Sequence, residues 1–293
     1  MKAEVINRHY LKEIPSASGI EFLGEYFYII SDDSSFLFVL DKTFKICRRI
    51  SLFDAFMDGN GKIPKLKKPD LESLTTVTIG RKKYLLTMGS GSFVKKRDAA
   101  FLIDLKNYEV RKISLSPFFN RLRKYLRKNN GGNLNIEGLV FSDRMLHLFQ
   151  RGNVSGKNLV FSVEWKQFLE TQDDVPFKVS EFNLPFLSKV RAGFSGACLI
   201  PGTQKILFTA SVERTANVID DGAIAGSFAG AFSISPSHEE IDIARITRNG
   251  TIYRRKVESI AVVKKISEKE LLCMAVCDQD SAYSELLELR ISL

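Results

Sequence analysis

The chain has 293 residues, 44% hydrophobic and 26% charged, with a formal net charge of +9. This is the composition of an ordinary folded protein with ample material for a core, and no apolar run approaches the roughly 18 residues of a membrane-spanning helix. The opening residues, Met1-Lys2-Ala3-Glu4-Val5, lack an apolar signal core. The expected location is therefore cytoplasmic, unless an exported chain has already been trimmed.

Taken in chain order, residues 5–14 read as a strand of two unlike faces that belongs to no complete unit. A first unit follows, with strands over 19–23, 26–31, 36–40 and 45–52. Gly24-Glu25 and Asp41-Lys42 form turns, and Asp32-Asp33-Ser34-Ser35 a polar loop. A long connector, 53–69, leads to a second unit with strands over 71–79, 83–88, 99–104 and 109–115. Residues 117–128 form a helix by their apolar stripe Phe118, Leu122, Tyr125 and Leu126, stopped by Asn129-Asn130-Gly131-Gly132. This helix is expected as an insertion on the rim. The third unit has strands over 136–141, 145–150, 159–164 and 178–184. The fourth has 196–200, 205–210, 228–233 and a last strand within 241–253. The fifth has only three, over 257–263, 271–276 and 286–291.

One short phrase opens the units: an aliphatic or small residue, a carboxylate, a small residue, then an apolar run. It reads Gly19-Ile20-Glu21-Phe22, Leu71-Glu72-Ser73-Leu74, Ile136-Glu137-Gly138-Leu139 and Val257-Glu258-Ser259-Ile260, with Phe194-Ser195-Gly196-Ala197 as a serine-bearing copy. A recurrence every roughly 50 to 65 residues marks stacked or radial repeats. Four short strands per repeat mark an all-β propeller. Five blades are expected, six being the alternative. The spare N-terminal strand is expected to complete the last blade and close the ring, because an open edge would invite aggregation. Val5, Ile6, Tyr10, Leu11 and Ile14 are expected to bury apolar area there.

The phrase lies on the first strand of each blade, beside the central channel. It should place Glu21, Glu72, Glu137 and Glu258 in equivalent positions. Like charges around one axis require compensation: a hard cation such as calcium, which takes several oxygen ligands, internal arginine from Arg151 or Arg214, or backbone N–H donors. The loops after the second strands add Asp32, Asp33, Ser90, Asn153, Glu213, Asp220, Asp221, Asp278 and Asp280. Both charges around a concave mouth suit a ligand site, although Asp, Ser and Asn also favour such loops for turn chemistry.

Other signals point away from familiar chemistries. There is no GxSxG elbow, HExxH or P-loop. His9, His147 and His238 are too few for a histidine metal centre, and His147 reads as a strand histidine. Gly89-Ser90-Gly91-Ser92 opens no helix. Cys47, Cys198, Cys273 and Cys277 form no metal or disulfide pattern and read as buried free thiols. Two basic runs, residues 62–68 and Arg121–Lys128, read as solvated faces. No recognition helix, zinc finger or RNA platform accompanies them, which argues against a nucleic-acid partner.

The sequence resembles an uncharacterised family of bacterial β-propellers, a domain of unknown function. The resemblance is carried by Ala17-Ser18-Gly19-Ile20, Ile30-Ser31-Asp32-Asp33, Ile63-Pro64, Lys68-Pro69-Asp70-Leu71-Glu72, Asn135-Ile136-Glu137-Gly138, Gln150-Arg151-Gly152-Asn153 and 221–227. It implies a single propeller domain over 1–293 and no established activity. The glutamate phrase is more distantly similar to esterase-like phytase propellers, whose relatives hydrolyse phosphoesters with calcium. Three functions follow as expectations. The first is a binding propeller holding a small polar ligand or a cation at the channel mouth. The second is a calcium-dependent phosphoester or ester hydrolase. The third is a protein-interaction scaffold using the helix 121–128.

Overall fold

A computed structural model describes residues 1–55, 63–65, 67–152, 157–214, 223–234, 241–278 and 283–293, with the Arg214 side chain excepted. Strand β1 (Lys2–Leu11) precedes a four-stranded unit, β2 (Ala17–Leu23), β3 (Tyr26–Ser31), β4 (Phe36–Leu40) and β5 (Ile46–Ser51). The second unit is β6 (Leu71–Ile79), β7 (Lys82–Gly89), β8 (Ala99–Asp104) and β9 (Val110–Ser114), followed by helix α1 (Ser116–Lys128). The third is β10 (Ile136–Ser142), β11 (Met145–Gln150), β12 (Asn158–Glu164) and, after helix α2 (Trp165–Glu170), β13 (Phe177–Phe182). A small hairpin, β14 (Phe186–Leu187) and β15 (Val190–Arg191), leads to β16 (Gly193–Leu199), β17 (Lys205–Arg214), β18 (Ala223–Ser233) and β19 (Asp242–Arg248). After β20 (Thr251–Ile252), which pairs with β19, come β21 (Lys256–Ser267), β22 (Glu270–Asp278) and β23 (Ser284–Ser292).

Within every unit the strands pair antiparallel in sequence order. The chain's last three strands are completed by β1, which runs antiparallel to β23 from Lys2 opposite Ser292 to Leu11 opposite Ser284. The closing strand thus lies three residues earlier than the sequence pattern suggests. The strand ends at Leu11 because the chain turns at once, with the Ile14 N–H donating to the Leu11 carbonyl at 3.2 Å, and a bulge between Val5 and Asn7 changes the alternation of faces. Val5 and Leu11 are buried as expected, and so is Ile14 just beyond the strand, but Ile6 and Tyr10 face solvent. Ala3 and Glu4 also pair in parallel with Ile246 and Thr247 of β19, so β1 bridges two units.

The first strands touch in a cycle: β2 with β6, β6 with β10, β10 with β16, β16 with β21, and β21 with β2. The apolar cores follow the same cycle, each shared by two neighbouring units. Alternation along a strand supplies both sides: Ile29 enters the core shared with the last unit, and Tyr28 and Ile30 the core shared with the second. Phenylalanine fills these seams. Phe149 of the third unit meets Phe194 of the fourth edge-on at 5.1 Å, a geometry that adds about 1 kcal/mol beyond the area buried. The architecture is an all-β propeller.

Helix α1 is more than an insertion on the rim. Phe118, Phe119, Leu122 and Leu126 are buried in the core between the second and third units. Its basic run is only partly solvated. Arg123 is buried against Asp98, and Arg121 donates to the carbonyl of Val175 at 2.6 Å. Of the cysteines, Cys198, Cys273 and Cys277 are buried, but Cys47 is exposed on the outermost strand of its unit.

Candidate functional site

The five first strands share a defect. In each, the pairing register with the second strand slips by one residue: between Ala17 and Gly19, Leu71 and Ser73, Ile136 and Gly138, Phe194 and Gly196, and Val257 and Ser259. The bulged residues are therefore Ser18, Glu72, Glu137, Ser195 and Glu258. A bulge re-aims its side chain and is a designed feature where it recurs. The small residue that follows is imposed by packing at the axis. A Cβ on Gly196 would lie 2.5 Å from the carbonyl oxygen of Glu258.

This register corrects one sequence assignment. Glu21 is not equivalent to the other three glutamates, because Ser18 holds the bulge in the first unit. Glu21 lies three residues on and accepts the Thr76 N–H at 2.9 Å, tying the first unit to the second. Burial pushes its carboxyl up to about 7, against the pull of the Thr76 and Phe22 N–H groups. The two bulged serines act likewise as ties. Ser18 donates to the Leu71 carbonyl at 2.5 Å, and Ser195 to the Val257 carbonyl at 2.6 Å.

Around the bulged glutamates lies a charge network at the end of the ring where first strands begin and second strands finish. Lys68 pairs with Asp32, with Asp33 at 3.2 Å and with Asp70 at 3.7 Å. Asp70, in the left-handed region at φ 57°, also receives Arg97 at 2.5 Å and the Ser90 hydroxyl at 2.5 Å. Aspartate tolerates that conformation better than most residues. On the other side, Arg151 spans Glu137 at 3.5 Å and Glu213 at 3.0 Å, and Lys256 contacts Glu258 at 2.8 Å and Glu213 at 3.8 Å. Asn135 donates to Glu137. Asp278 ends β22 opposite Lys256.

Among the described side chains of this network, seven carboxylates (Asp32, Asp33, Asp70, Glu72, Glu137, Glu213, Glu258) face four cations (Lys68, Arg97, Arg151, Lys256). The excess appears as unmet acceptors. None of the described hydrogen bonds or ion pairs reaches Glu72. Asp32 Oδ1 and Glu258 Oε2 are buried without a hydrogen-bond partner among the described residues. Oxygens of Asp32, Asp70 and Glu72 all lie within 4.8 Å of one another, the spacing of metal ligands.

Protonation reflects this crowding. Burial holds Glu72 well above the carboxylate range, reinforced by Asp70, Asp32, Glu137 and Glu258. Asp32 is pushed up to about 7 by burial, against Lys68 and with Asp33 and Asp70 adding. Glu258 rises to about 8, again by burial, against Lys256 and with Glu137 adding. Glu137 is raised by burial despite Arg151 and Lys256. Burial opposes the charge on Lys68, Arg151 and Lys256, yet the surrounding carboxylates hold each above its usual value.

The structure thus gathers Asp32, Asp33, Glu72, Glu137, Arg151, Glu213 and Glu258, and leaves Glu21 outside. Arg214 ends β17 opposite Ala223; its side chain, with Asn153, Asp220, Asp221 and Asp280, lies outside the described residues. Lys68, Asp70, Arg97, Asn135 and Lys256 join a site that the sequence reading did not give them. Lys68 belongs to a basic run read as solvated, yet it is 5% exposed. A spacing marks three of the five: Asp70, Asn135 and Lys256 each stand two residues before a bulged glutamate.

The family model describing a family of unknown function (DUF6929) matches residues 13–291. The chain belongs to that family. None of the curated proteins matches the sequence. Among solved structures, the chain is similar to the glutaminyl cyclase of Myxococcus xanthus, with a TM-score of 0.54 at 12% identity, covering 99% of this chain and 97% of that one. It is also similar to the catalytic domain of the Coprinopsis cinerea GH62 α-L-arabinofuranosidase, with a TM-score of 0.53 at 10% identity, covering 98% and 96%. At such identities the likeness is one of fold. No helix among the described residues is long and apolar enough to cross a membrane.

Proposed function

We propose that this DUF6929 protein is a binding propeller whose channel mouth takes up a small polar ligand through a positively charged group or a metal ion. The observation that carries the reading is the surplus of carboxylates over cations in one network, counted over the described residues, among which no ion pair or hydrogen bond reaches Glu72. A buried carboxylate is costly unless paired; without a cation the surplus is met by protons on the raised carboxyls, Glu72 and Glu258 among them, and an entering cation takes their place. For a divalent ion the donors would be Asp32, Asp70 and Glu72. Three carboxylate oxygens suit a hard cation such as calcium, which fills its remaining positions with water or ligand oxygens. Lys68 already supplies one charge at these carboxylates, so an entering ion competes with its ammonium group.

The test is a thermal-shift panel of calcium, manganese and magnesium chlorides and spermidine, on the full chain and on Glu72→Gln. At least one cation should raise the melting temperature of the wild type and fail to raise that of the variant. A panel with no shift, or shifts equal in both proteins, removes the reading.

A hydrolytic role rests on a narrower observation: Glu258, which is not among the three metal donors, is pushed up to about 8, where a carboxyl can donate a proton near neutral pH. A phosphatase and esterase screen with added calcium separates this from simple binding, since activity that is lost in Glu258→Gln while the calcium-induced thermal shift is kept would support it and inactivity throughout would discard it. A docking role for α1 would rest on Lys124, Arg127 and Lys128, because Arg121 and Arg123 are engaged within the chain.

A further inference from the structure

A second feature carries the opposite charge to the channel network, and its wall includes Lys67, Pro69, Lys96 and Asp98, the chain neighbours of Lys68, Asp70 and Arg97. A cavity of about 520 Å³ opens between residues 53–55, Ile63, Lys67 and Pro69 on one side and residues 95–101 with Lys112, Ser114 and Ser116 on the other. That volume falls within the range of small-molecule sites. Its wall includes four lysines, Lys67, Lys95, Lys96 and Lys112, and its apolar part includes Phe53, Ile63 and Phe101. Phe53 stacks on Phe101 with centroids 5.3 Å apart and planes at 26°.

Two acids share the wall, Asp54 and Asp98, and Asp98 does not offset the lysines. Its side chain is fully buried. It is bound by the Arg123 guanidinium through both oxygens and also accepts the Ser116 hydroxyl at 3.2 Å and the Lys95 N–H at 3.1 Å. Arg123 cancels its charge, which leaves Asp54 as the acid facing Lys95, Lys96 and Lys112 among the described lining residues. The bond from the Lys95 N–H also holds that residue in the left-handed region, at φ 67°. This conformation costs a side-chain-bearing residue about 1 kcal/mol. Strain of this kind accumulates where a side chain must be aimed.

We propose that this cavity is a binding site for an organic phosphate. The phosphate groups lie among Lys95, Lys96 and Lys112, and a planar body rests against Phe53. Lysine ammonium groups bind phosphate as point charges, and an aromatic floor gives a flat ligand apolar contact.

The test is calorimetric titration of the full chain with ATP, inorganic pyrophosphate and adenosine at about 0.15 M salt. ATP and pyrophosphate should bind, and adenosine should bind at least about tenfold more weakly than ATP. The variant Lys95→Ala/Lys112→Ala should weaken ATP by about tenfold or more. The charge-matched variant Lys124→Ala/Arg127→Ala, on the exposed face of α1, should match the wild type. All four side chains are exposed, so both variants should keep the wild-type melting temperature. Absence of ATP and pyrophosphate binding would overturn the proposal. So would equal binding of adenosine. An equal loss in the two variants would also overturn it, since it would reduce the effect to the net charge of +9.

Discussion

The Ser195 hydroxyl donates to the Val257 carbonyl at 2.6 Å, joining the bulge of one first strand to the residue before the bulged Glu258 of the next. Ser18 does the same to Leu71, the residue before Glu72. The two serine units thus steady two of the three glutamate units. Ser195→Ala should cost about 1 kcal/mol, the net worth of one buried hydrogen bond. Ser195→Glu, which restores the carboxylate of the phrase, should cost more, because it adds charge to a crowded ring and removes the tie. Urea denaturation of the two variants checks this. A Ser195→Glu protein as stable as wild type would contradict the account of the ring.

Closure of the propeller depends on a pairing across almost the whole sequence. Arg8 of β1 lies 3.3 Å from Glu285 of β23, and the other Glu285 oxygen accepts the Tyr253 hydroxyl at 2.6 Å. Ser284 adds a second clasp, accepting the Ala17 N–H at 2.8 Å and donating to the Ile14 carbonyl at 2.9 Å. Deleting residues 2–12 should give insoluble or strongly destabilised protein, because the β23 edge is exposed and Val5 and Leu11 leave their cores. Arg8→Ala keeps the strand pairing and should be milder than the deletion, at about 3 kcal/mol, because it leaves a Glu285 that is 1% exposed with the Tyr253 hydroxyl but without its counter-ion. A deletion variant that melts like the full chain would refute closure by β1.

The raised carboxyls dictate a direction of pH dependence. The folded chain holds a proton on Glu258 up to about pH 8, while the unfolded chain releases it near the ordinary value of 4.5. Between these values the folded state binds more protons, so this group's contribution is present below the lower value and is lost as pH rises through the upper one. Relative to Glu258→Gln, the wild type should lose stability from pH 5 to pH 8, by at most about 1.4 kcal/mol for each unit crossed. Melting temperatures of the pair across that range check the slope. A difference that is flat, or that favours the wild type as pH rises, contradicts the buried charge assignment.

The Arg123–Asp98 pair belongs to the packing of α1 rather than to a free basic surface. Arg123→Ala leaves a fully buried aspartate without its counter-ion, which should cost about 3–5 kcal/mol. Lys124→Ala on the exposed side should change stability by less than about 0.5 kcal/mol. Equal melting temperatures for these two variants would return α1 to the role of a solvated rim.

The fold was legible because two periodicities agreed: alternation within strands, and recurrence of the small-residue phrase between them. Even the missing strand was visible as an apolar segment without partners. What composition hid was register. A bulge has no distinctive residue of its own, so Glu21 looked like a copy of Glu72 when Ser18 was the structural equivalent. Lys68 was hidden for a different reason. It closes a run of lysines that reads as solvent-facing, and only the turn into β6 carries it against Asp32, Asp33 and Asp70. Arg151, Asp32 and Asp33 were legible because they follow the second strands, whose ends meet at the mouth. Lys256 was missed although it stands two residues before Glu258, since its role depends on the charge of the neighbouring units.

The central claim is that the carboxylates at the channel mouth hold a cation, and anomalous diffraction tests it most directly. Crystals of the full chain grown with manganese chloride, and matching crystals of Glu72→Gln, should be measured at the manganese edge. A difference peak among Asp32, Asp70 and Glu72 in the wild type, absent in the variant, is the predicted result. A mouth without such a peak, with Lys68 still seated against its three aspartates, would contradict the claim for a metal ion.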